Sequence, residues 1–325
     1  MKKINIIATT ISGSIKDWQK IPRMESEFKK YTPSPIKLYT VDSHKQARKT
    51  ANKLIKKGER TIVSAGGAGT FNSVLQGSRL KSGFPKDLRL AFLRKGSADL
   101  IGKVLKISDN LNIAAKQIAE GIKKDKTIES DVIEVLINNK KYHFIGFGGA
   151  GVFGIIPYFT ESRFIKYYKG ILSYLFGDRG PFLVGINLAV MKFYKDKLFK
   201  DQTLTLKIDN KIVKEEEYNG IVIMNGDLTK DFPLAKGMPL STGKFKLVLF
   251  KNRGIIKSYK QLKHAWKGDL EKYKNQLGIE VFYAKTLKIS SPSRTKFMFN
   301  LDGLLIETKG PISLYKSDKI KLISG

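Results

Sequence analysis

The segment TIVSAGGAGTFNSVLQG, residues 61–77, decides the fold. A short apolar run leads into the glycine-rich stretch 66–70, and a helical pattern follows. Glycines let the backbone approach a ligand and present amide hydrogens to it, and a helix start adds partial positive charge. Thr70 is expected to cap this helix. The pattern predicts a strand, a phosphate-binding turn and a helix, although an ordinary strand-to-helix turn also fits it.

Strand and helix patterns alternate on both sides of this segment through the first 125 residues. Such alternation predicts βαβ units and a parallel sheet. The expected strands are 3–8, 36–40, 60–63 and 88–93, and the expected helices are 17–31, 43–57, 70–79, 98–105 and 111–121.

The pattern changes near the charged sequence KKDKT, residues 123–127, and strands dominate from there on. Many short strands with turns between them are typical of an antiparallel sandwich or barrel. The expected strands are 128–137, 141–147, 202–208, 211–217, 220–225, 244–250, 279–284, 286–289 and 295–301, with helices at 161–176 and 256–276. The fold class is therefore α/β plus all-β.

Composition limits the classes of function. The chain of 325 residues has 60 Lys and Arg against 29 Asp and Glu, for a net charge of +31. This charge attracts nucleic acid, anionic lipid surfaces or phosphate-rich ligands, or it reflects lysines spread over solvated faces. No nucleic-acid-binding motif accompanies it. The absence of cysteine excludes disulfides, thiol catalysis and cysteine zinc sites, and three scattered histidines do not indicate a metal cluster.

No apolar run approaches the roughly 20 residues of a membrane span. The run 146–159 is glycine-rich and contains Pro157, and the N-terminal stretch has a strand pattern without a signal-peptide cleavage site. We therefore expect a cytoplasmic protein, peripheral to the inner face of the membrane.

The motifs resemble those of a known family. The residues GGAGT-FNSVLQG at 66–77 are similar to the GGDGT-xNEVxNG of the diacylglycerol kinase catalytic domain, which bacterial lipid kinases share with sphingosine and ceramide kinases and which is related to NAD kinase. Further matches in the same order are Ser12-Gly13 for NPxSG, Thr40 after the second strand, RKGSADL at 94–100 for PLGTxNxxA, KGILSY at 169–174 for KGxLxY, Asn225-Gly226, and LDGL at 301–304 for VDGE.

The resemblance implies two domains with ATP between them, and a lipid hydroxyl that attacks the γ-phosphate. Residues 1–125 would form the nucleotide-binding α/β domain, residues 126–307 the β-sandwich lipid domain, and residues 308–325 would return to the first. Arg94 replaces a family proline and either neutralises phosphate without a metal or points into solvent. The implied nucleotide-binding residues are Thr40, Gly66, Gly67, Gly69, Thr70, Asn72, Arg94, Gly96 and Ser97.

Three family acids are replaced. The aspartate of GGDGT is Ala68, the proposed general base of VDGE is Leu304, and an aspartate linked to magnesium is Thr242. Methyl and isobutyl groups neither bind a metal nor take a proton, so the resemblance implies magnesium while these positions argue against it. Either other acids act in a divergent lipid kinase, or the chain is a pseudokinase that binds nucleotide or lipid without transfer. The candidate substitutes are Asp99, Asp227, Asp231 and Asp302.

The expected partners are a lipid substrate and an anionic membrane surface, with nucleic acid as a weaker alternative. Residues 256–273 form a basic amphipathic pattern whose apolar stripe lies on the membrane or packs on the sandwich. The oligomeric state stays open, a homodimer among the alternatives. The stripe consists of Tyr259, Leu262, Trp266, Leu270 and Tyr273.

Overall fold

The computed structural model describes residues 3–11, 18–94, 100–160, 180–229 and 232–325. Its N-terminal part is a parallel sheet in the order β2-β1-β3-β4 with helices packed against it. Strands β1 and β3 are buried along their whole length, as expected for a parallel sheet covered on both faces. The elements are β1 (Ile4–Thr9), α1 (Met24–Lys29), β2 (Ile36–Val41), α2 (His44–Lys56), β3 (Thr61–Gly66), α3 (Ala68–Gly77), β4 (Arg89–Arg94), α4 (Leu100–Val104) and α5 (Leu111–Lys123).

The C-terminal part is antiparallel, so the predicted α/β plus all-β class is confirmed. The elements are β5 (Thr127–Ile137), β6 (Lys140–Phe144), β7 (Phe147–Gly151), α6 (Val152–Thr160), α7 (Gly180–Lys197), β8 (Thr203–Ile208), β9 (Ile212–Met224), β10 (Phe245–Lys251), α8 (Ile255–Lys267), α9 (Leu270–Leu277), β11 (Ile279–Ala284), β12 (Thr286–Ser290), β13 (Phe297–Leu301), β14 (Leu304–Thr308) and β15 (Ile312–Ile323).

One long strand joins the two layers of this antiparallel part. The first half of β9 pairs with β8, and its second half pairs with β7 and β10. Tyr218 lies at the change of partner and is 1% exposed. Apolar side chains from β5, β8, β12 and β15 pack against those from β7, β9, β10 and β13 in one core.

The last strand continues the parallel sheet into the antiparallel part. β15 pairs with β5 along its length and with β12 through residues 312–315. Its residues Lys321 and Leu322 pair in parallel with Arg89 and Leu90 of β4. Hydrogen bonding is therefore continuous from β3, which precedes the glycine-rich turn, through β4 and β15 into the antiparallel part.

Several predicted bounds are wrong for local reasons. The expected strands 211–217 and 220–225 are the single strand β9, whereas 141–147 divides into β6 and β7. The expected helix 256–276 ends at Gly268, whose φ of +73° ends α8 in the left-handed conformation, and α9 follows. Within the predicted helix 17–31, the described part is a 3₁₀ turn, Ile21–Arg23, followed by α1. The predicted helix 161–176 lies outside the described residues.

The apolar stripe of residues 256–273 packs mainly on the protein. Leu270 is buried, and Leu262 and Tyr273 pack against the main core. Only Tyr259, near the start of α8, is exposed, at 38%. Among the described helices, none is both long and apolar enough to cross a bilayer.

Helices α2 and α3 approach so closely that their contact admits only a glycine at residue 77. A Cβ added at Gly77 would lie 2.3 Å from the Arg48 carbonyl oxygen and 2.8 Å from Ala51 Cβ. The Asn52 amide also donates to the Gly77 carbonyl at 3.2 Å. This contact sets the position of the first residue of α2 relative to the glycine-rich turn that opens α3.

We predict that Gly77→Ala lowers the free energy of unfolding by roughly 1–3 kcal/mol, because the added methyl group forces the two helix backbones apart. Urea unfolding followed by circular dichroism measures this change. Lys49→Ala on the exposed face of α2 is the control and should change stability by less than about 0.5 kcal/mol. Equal stability of Gly77→Ala and the unmodified chain would contradict the close contact.

Candidate nucleotide-binding site

The glycine-rich turn has the predicted strand-turn-helix geometry. Strand β3 ends at Gly66, and Gly67 is the N-cap of α3 in an extended conformation. The backbone amides of Thr70 and Phe71 donate to the Gly67 carbonyl at 3.0 and 3.1 Å. The amides of Ala68 and Gly69, which precede these two donors, lie at the open end of the helix, where helices in general bind anions.

The expected capping role of Thr70 is wrong. Thr70 is the third residue of α3 and is fully buried, and Gly67 caps without a side chain. The Thr70 hydroxyl oxygen lies 2.9 Å from that of Thr9 at the end of β1. A Cβ at Gly66 would lie 2.4 Å from the same Thr70 oxygen, so this glycine is needed for the close approach. Thr70 therefore fastens the turn to the neighbouring strand.

His44 lies beside the turn and was not singled out from the sequence. It is the first residue of α2, whose N-cap Ser43 accepts a hydrogen bond from the Gln46 amide at 3.2 Å. A Cβ added at Gly69 would be 3.1 Å from His44 Cε1 and 3.2 Å from Nε2. The signal available in the sequence was its place, four residues after Thr40 at a helix start. An imidazole here can donate a hydrogen bond to phosphate.

A second glycine turn faces the first. It connects β13 to β14 and contains Asp302 and Gly303, with φ of +47° and +89°. A Cβ at Gly303 would lie 3.8 Å from the backbone nitrogen of Gly69. Ala68 and Leu304 are each next to one of these glycines, and Leu304 is partly buried against the core of the antiparallel part.

Asp302 holds this second turn in place. Its carboxylate accepts hydrogen bonds from the backbone amides of Ile145, Gly146 and Phe147 at 3.0, 3.1 and 2.7 Å. Burial raises the pKa of Asp302, while these three donors act in the opposite direction. A carboxylate whose oxygens are bound in this way positions the loop and is not free to take a proton from a substrate.

The comparisons with known proteins agree with this geometry. Residues 3–134 match the family model of the diacylglycerol kinase catalytic domain. This segment is therefore similar to a diacylglycerol kinase catalytic domain. The resemblance predicted from the sequence is thereby confirmed for the part of the chain that contains the glycine-rich turn.

Relatives and solved structures extend the likeness beyond residues 3–134. A diacylglycerol kinase of Staphylococcus haemolyticus is 23% identical over 82% of this chain and 71% of its own length. One of Staphylococcus aureus is 23% identical over 93% of this chain and 86% of its own. A crystal structure of a diacylglycerol kinase from Bacillus anthracis has a TM-score of 0.63 at 17% identity and covers 100% of this chain and 97% of its own. At that identity the structure supports the fold alone.

Thr242 stands where the resemblance to the family implies an aspartate linked to magnesium. The Thr242 hydroxyl donates to the Lys244 carbonyl at 2.7 Å, and the Gly243 amide donates to Asp131 Oδ2 at 2.7 Å. Lys316 Nζ lies 2.6 Å from the same oxygen, and both side chains are buried. Burial lowers the pKa of Lys316, and Asp131 counteracts this shift. An ammonium group therefore balances the carboxylate beside this turn.

The described residues do not fit a resident magnesium ion. Hard cations bind several carboxylate or carbonyl oxygens, and no cluster of three or more acids or histidines occurs in the described ranges. Asp227 accepts from the amides of Thr229 and Gly237 at 2.8 Å each, so its carboxylate is bound within its own loop. We derive no step through a protein-held metal.

Two other residues predicted to bind the nucleotide, Asn72 and Arg94, make contacts within the protein. Asn72 is buried in α3 and donates to the His143 carbonyl at 2.8 Å, so it joins this helix to β6. Arg94 is half-buried, and its Nη1 donates to the Ile107 carbonyl at 3.4 Å. Its side chain packs against Gly102, where an added Cβ would lie 2.4 Å from the Arg94 Cγ. It therefore does not simply point into solvent.

Thr40 is exposed at the end of β2 and lines a groove of about 600 Å³ with Thr10, Trp18 and Leu38. This groove is mostly apolar and lies at the carboxyl ends of β1 and β2, on the side of the sheet where ligands of parallel sheets bind. Four predicted site residues lie outside the described ranges. They are Gly96, Ser97, Asp99 and Asp231.

We predict that Asp302→Ala destabilises the protein by about 3 kcal/mol or more, because three backbone amides lose their acceptor in a buried site and each costs about 1–3 kcal/mol. Denaturant unfolding measures the loss. Glu307→Ala on β14 is the matched control, since its ion pair with Lys296 is exposed and contributes about 1 kcal/mol at most. Similar small effects at both positions would contradict the positioning role of Asp302.

Proposed function

We propose that this chain binds ATP between the turns at Gly67 and Gly303 and transfers its γ-phosphate to a lipid hydroxyl. The observation that carries the proposal is the approach of the second turn to Gly69 at the start of α3. A helix N-terminus with a glycine-rich turn is a general site for phosphate groups. The cleft between the turns is where a phosphate would meet both segments.

Groups of the protein itself would bind the negative charge of the nucleotide phosphates. In this proposal the backbone amides of Ala68 and Gly69 donate to phosphate oxygens, and the partial positive charge of the helix end adds to their effect. His44 beside Gly69 donates one further hydrogen bond. Phosphoryl transfer requires chiefly positioning and stabilisation of charge on the transferred group, and these groups provide both. Any divalent ion would arrive with the nucleotide as part of the substrate.

The acceptor is proposed from the relatives. The curated relatives are named diacylglycerol kinases, and this supports an alcohol carried by a lipid. Diacylglycerol is the first acceptor to test, with ceramide and sphingoid bases as further alcohols of the same class. Because Leu304 stands where a base would take the proton of the hydroxyl, we expect transfer about 10²- to 10⁴-fold slower than with a positioned base.

A second candidate function is nucleotide binding without transfer. It is favoured by one observation: in the described part of the cleft, the nearest retained acid, Asp302, is bound by three amides. The two candidates share the binding site and differ in the product. A pseudokinase of this kind would use bound nucleotide to hold the two turns together.

The test is transfer of labelled γ-phosphate from ATP to diacylglycerol in mixed micelles. We predict slow labelling by the unmodified chain and at least roughly 10²-fold faster labelling by Leu304→Glu, which restores a base beside Gly303. Ala68→Asp combined with Leu304→Glu tests whether the second acid adds to this gain. Leu305→Glu is the control, because neighbouring strand residues point to opposite faces.

Two other outcomes separate the candidates. Binding of ATP without labelled lipid in any variant would favour the pseudokinase. If the chain neither binds ATP nor labels lipid, the proposed function as a whole is contradicted.

A further inference from the structure

Among the exposed apolar side chains of the C-terminal part, two neighbouring pairs lie at helix ends. Leu198 and Phe199 follow the end of α7, and each is 78% exposed. Ile255 and Ile256 open α8 and are 44% and 71% exposed. Large apolar side chains at this exposure cost free energy in water unless another phase or molecule covers them.

The structure fastens the two pairs to neighbouring positions. The hydroxyl of Tyr194, one turn before the end of α7, lies 2.6 Å from Ser258 Oγ, one turn into α8. The same hydroxyl is 3.1 Å from Asn252 Oδ1, just before α8. Burial raises the pKa of Tyr194, so this hydroxyl stays protonated and keeps its hydrogen bonds. The end of α7 therefore lies beside the start of α8.

The backbone at the end of α7 is ordered by its own hydrogen bonds. The Leu198 amide donates to the Lys195 carbonyl at 3.2 Å, and the Phe199 amide donates to the Asp196 carbonyl at 3.1 Å. Lys197 Nζ contacts Glu217 Oε2 at 2.5 Å, and Asn252 donates to the same carboxylate oxygen at 3.0 Å. The protruding side chains are thus held outward by a bonded turn.

The charge around the two pairs is positive, although Asp196 pairs with Lys192, Glu217 with Lys197 and Glu216 with Arg253. The segment KFYKDKLFK, residues 192–200, has four lysines and one aspartate, and NRGIIKSYK, residues 252–260, has three basic residues and no acid. Such a combination of protruding apolar side chains and flanking lysines matches an anionic bilayer surface, whose acyl chains take the former and whose head groups attract the latter.

We infer that this surface, formed by Leu198, Phe199, Ile255, Ile256 and the lysines beside them, docks the protein on anionic lipid bilayers. Lysines near an anionic surface and apolar side chains inserted into the bilayer both strengthen such binding. The inference does not depend on phosphoryl transfer, and it assigns membrane contact to helix ends and not to the stripe of residues 256–273.

Co-sedimentation of the full chain with vesicles tests the inference. We predict binding to vesicles of phosphatidylglycerol mixed with phosphatidylcholine and much weaker binding to phosphatidylcholine alone. The double variants Leu198→Ser/Phe199→Ser and Ile255→Ser/Ile256→Ser should each weaken binding about tenfold or more. Ile113→Ser on α5 is the matched control, since Ile113 is 49% exposed on the N-terminal part, and it should bind like the unmodified chain.

A second readout reports insertion directly. In Phe199→Trp, the added tryptophan fluorescence should shift to shorter wavelength with anionic vesicles and be quenched by brominated acyl chains. Equal binding by the serine variants and the unmodified chain would overturn the inference and leave a purely electrostatic attraction. A dimer in solution that the serine variants abolish, without vesicle binding, would also overturn it and assign the surface to a second copy of the chain.

Discussion

The approach of the β13–β14 turn to the glycine-rich turn depends on three hydrogen bonds. The Asp302 carboxylate accepts them from the consecutive backbone amides of residues 145–147. These bonds hold the turn between β13 and β14 against the segment that leads into β7. The turn can then place Gly303 next to Gly69. Two glycine turns from distant parts of the sequence are thus held together by a buried carboxyl group that accepts three backbone amides. The same bonds give Asp302 a positioning role.

The turn at Thr242 is also held by a carboxylate that accepts a backbone amide. Asp131 receives the Gly243 amide and the Lys316 ammonium on one oxygen, so a cation that belongs to the chain stands at the carboxylate. Lys316 lies on β15, the strand that also pairs with β4. The carboxylates of Asp131 and Asp302 are thus both bound by groups of the chain itself.

Local sequence patterns were sufficient to predict the fold class and the glycine-rich turn before α3. The glycine run after a buried strand predicted the start of α3, and alternating patterns predicted the parallel sheet. The errors arose where distant contacts decide the outcome. Tyr218 and Asn219 look like a break between strands, yet β9 continues through them because its partner strands change there. Thr70 resembles a cap, but its hydroxyl meets Thr9 across the sheet.

The site was predictable only in part, for the same reason. His44 becomes notable once α2 packs on α3 through Gly77, a contact that no short motif encodes. Asp302 was a candidate acid in the sequence, and its true partners lie more than 150 residues away. The exposed pairs at the ends of α7 and α8 became visible only through the Tyr194 hydroxyl that joins the two helices.

Hydrogen–deuterium exchange with and without ATP tests the central claim, that nucleotide phosphate is held between the two glycine turns. The account predicts slower exchange of backbone amides in peptides covering residues 66–71 and 301–304, and unchanged exchange in β12. In Gly67→Val, whose side chain blocks approach to the helix end, ATP should protect neither segment. Protection by ATP elsewhere in the chain, with both turns unaffected, would contradict the account.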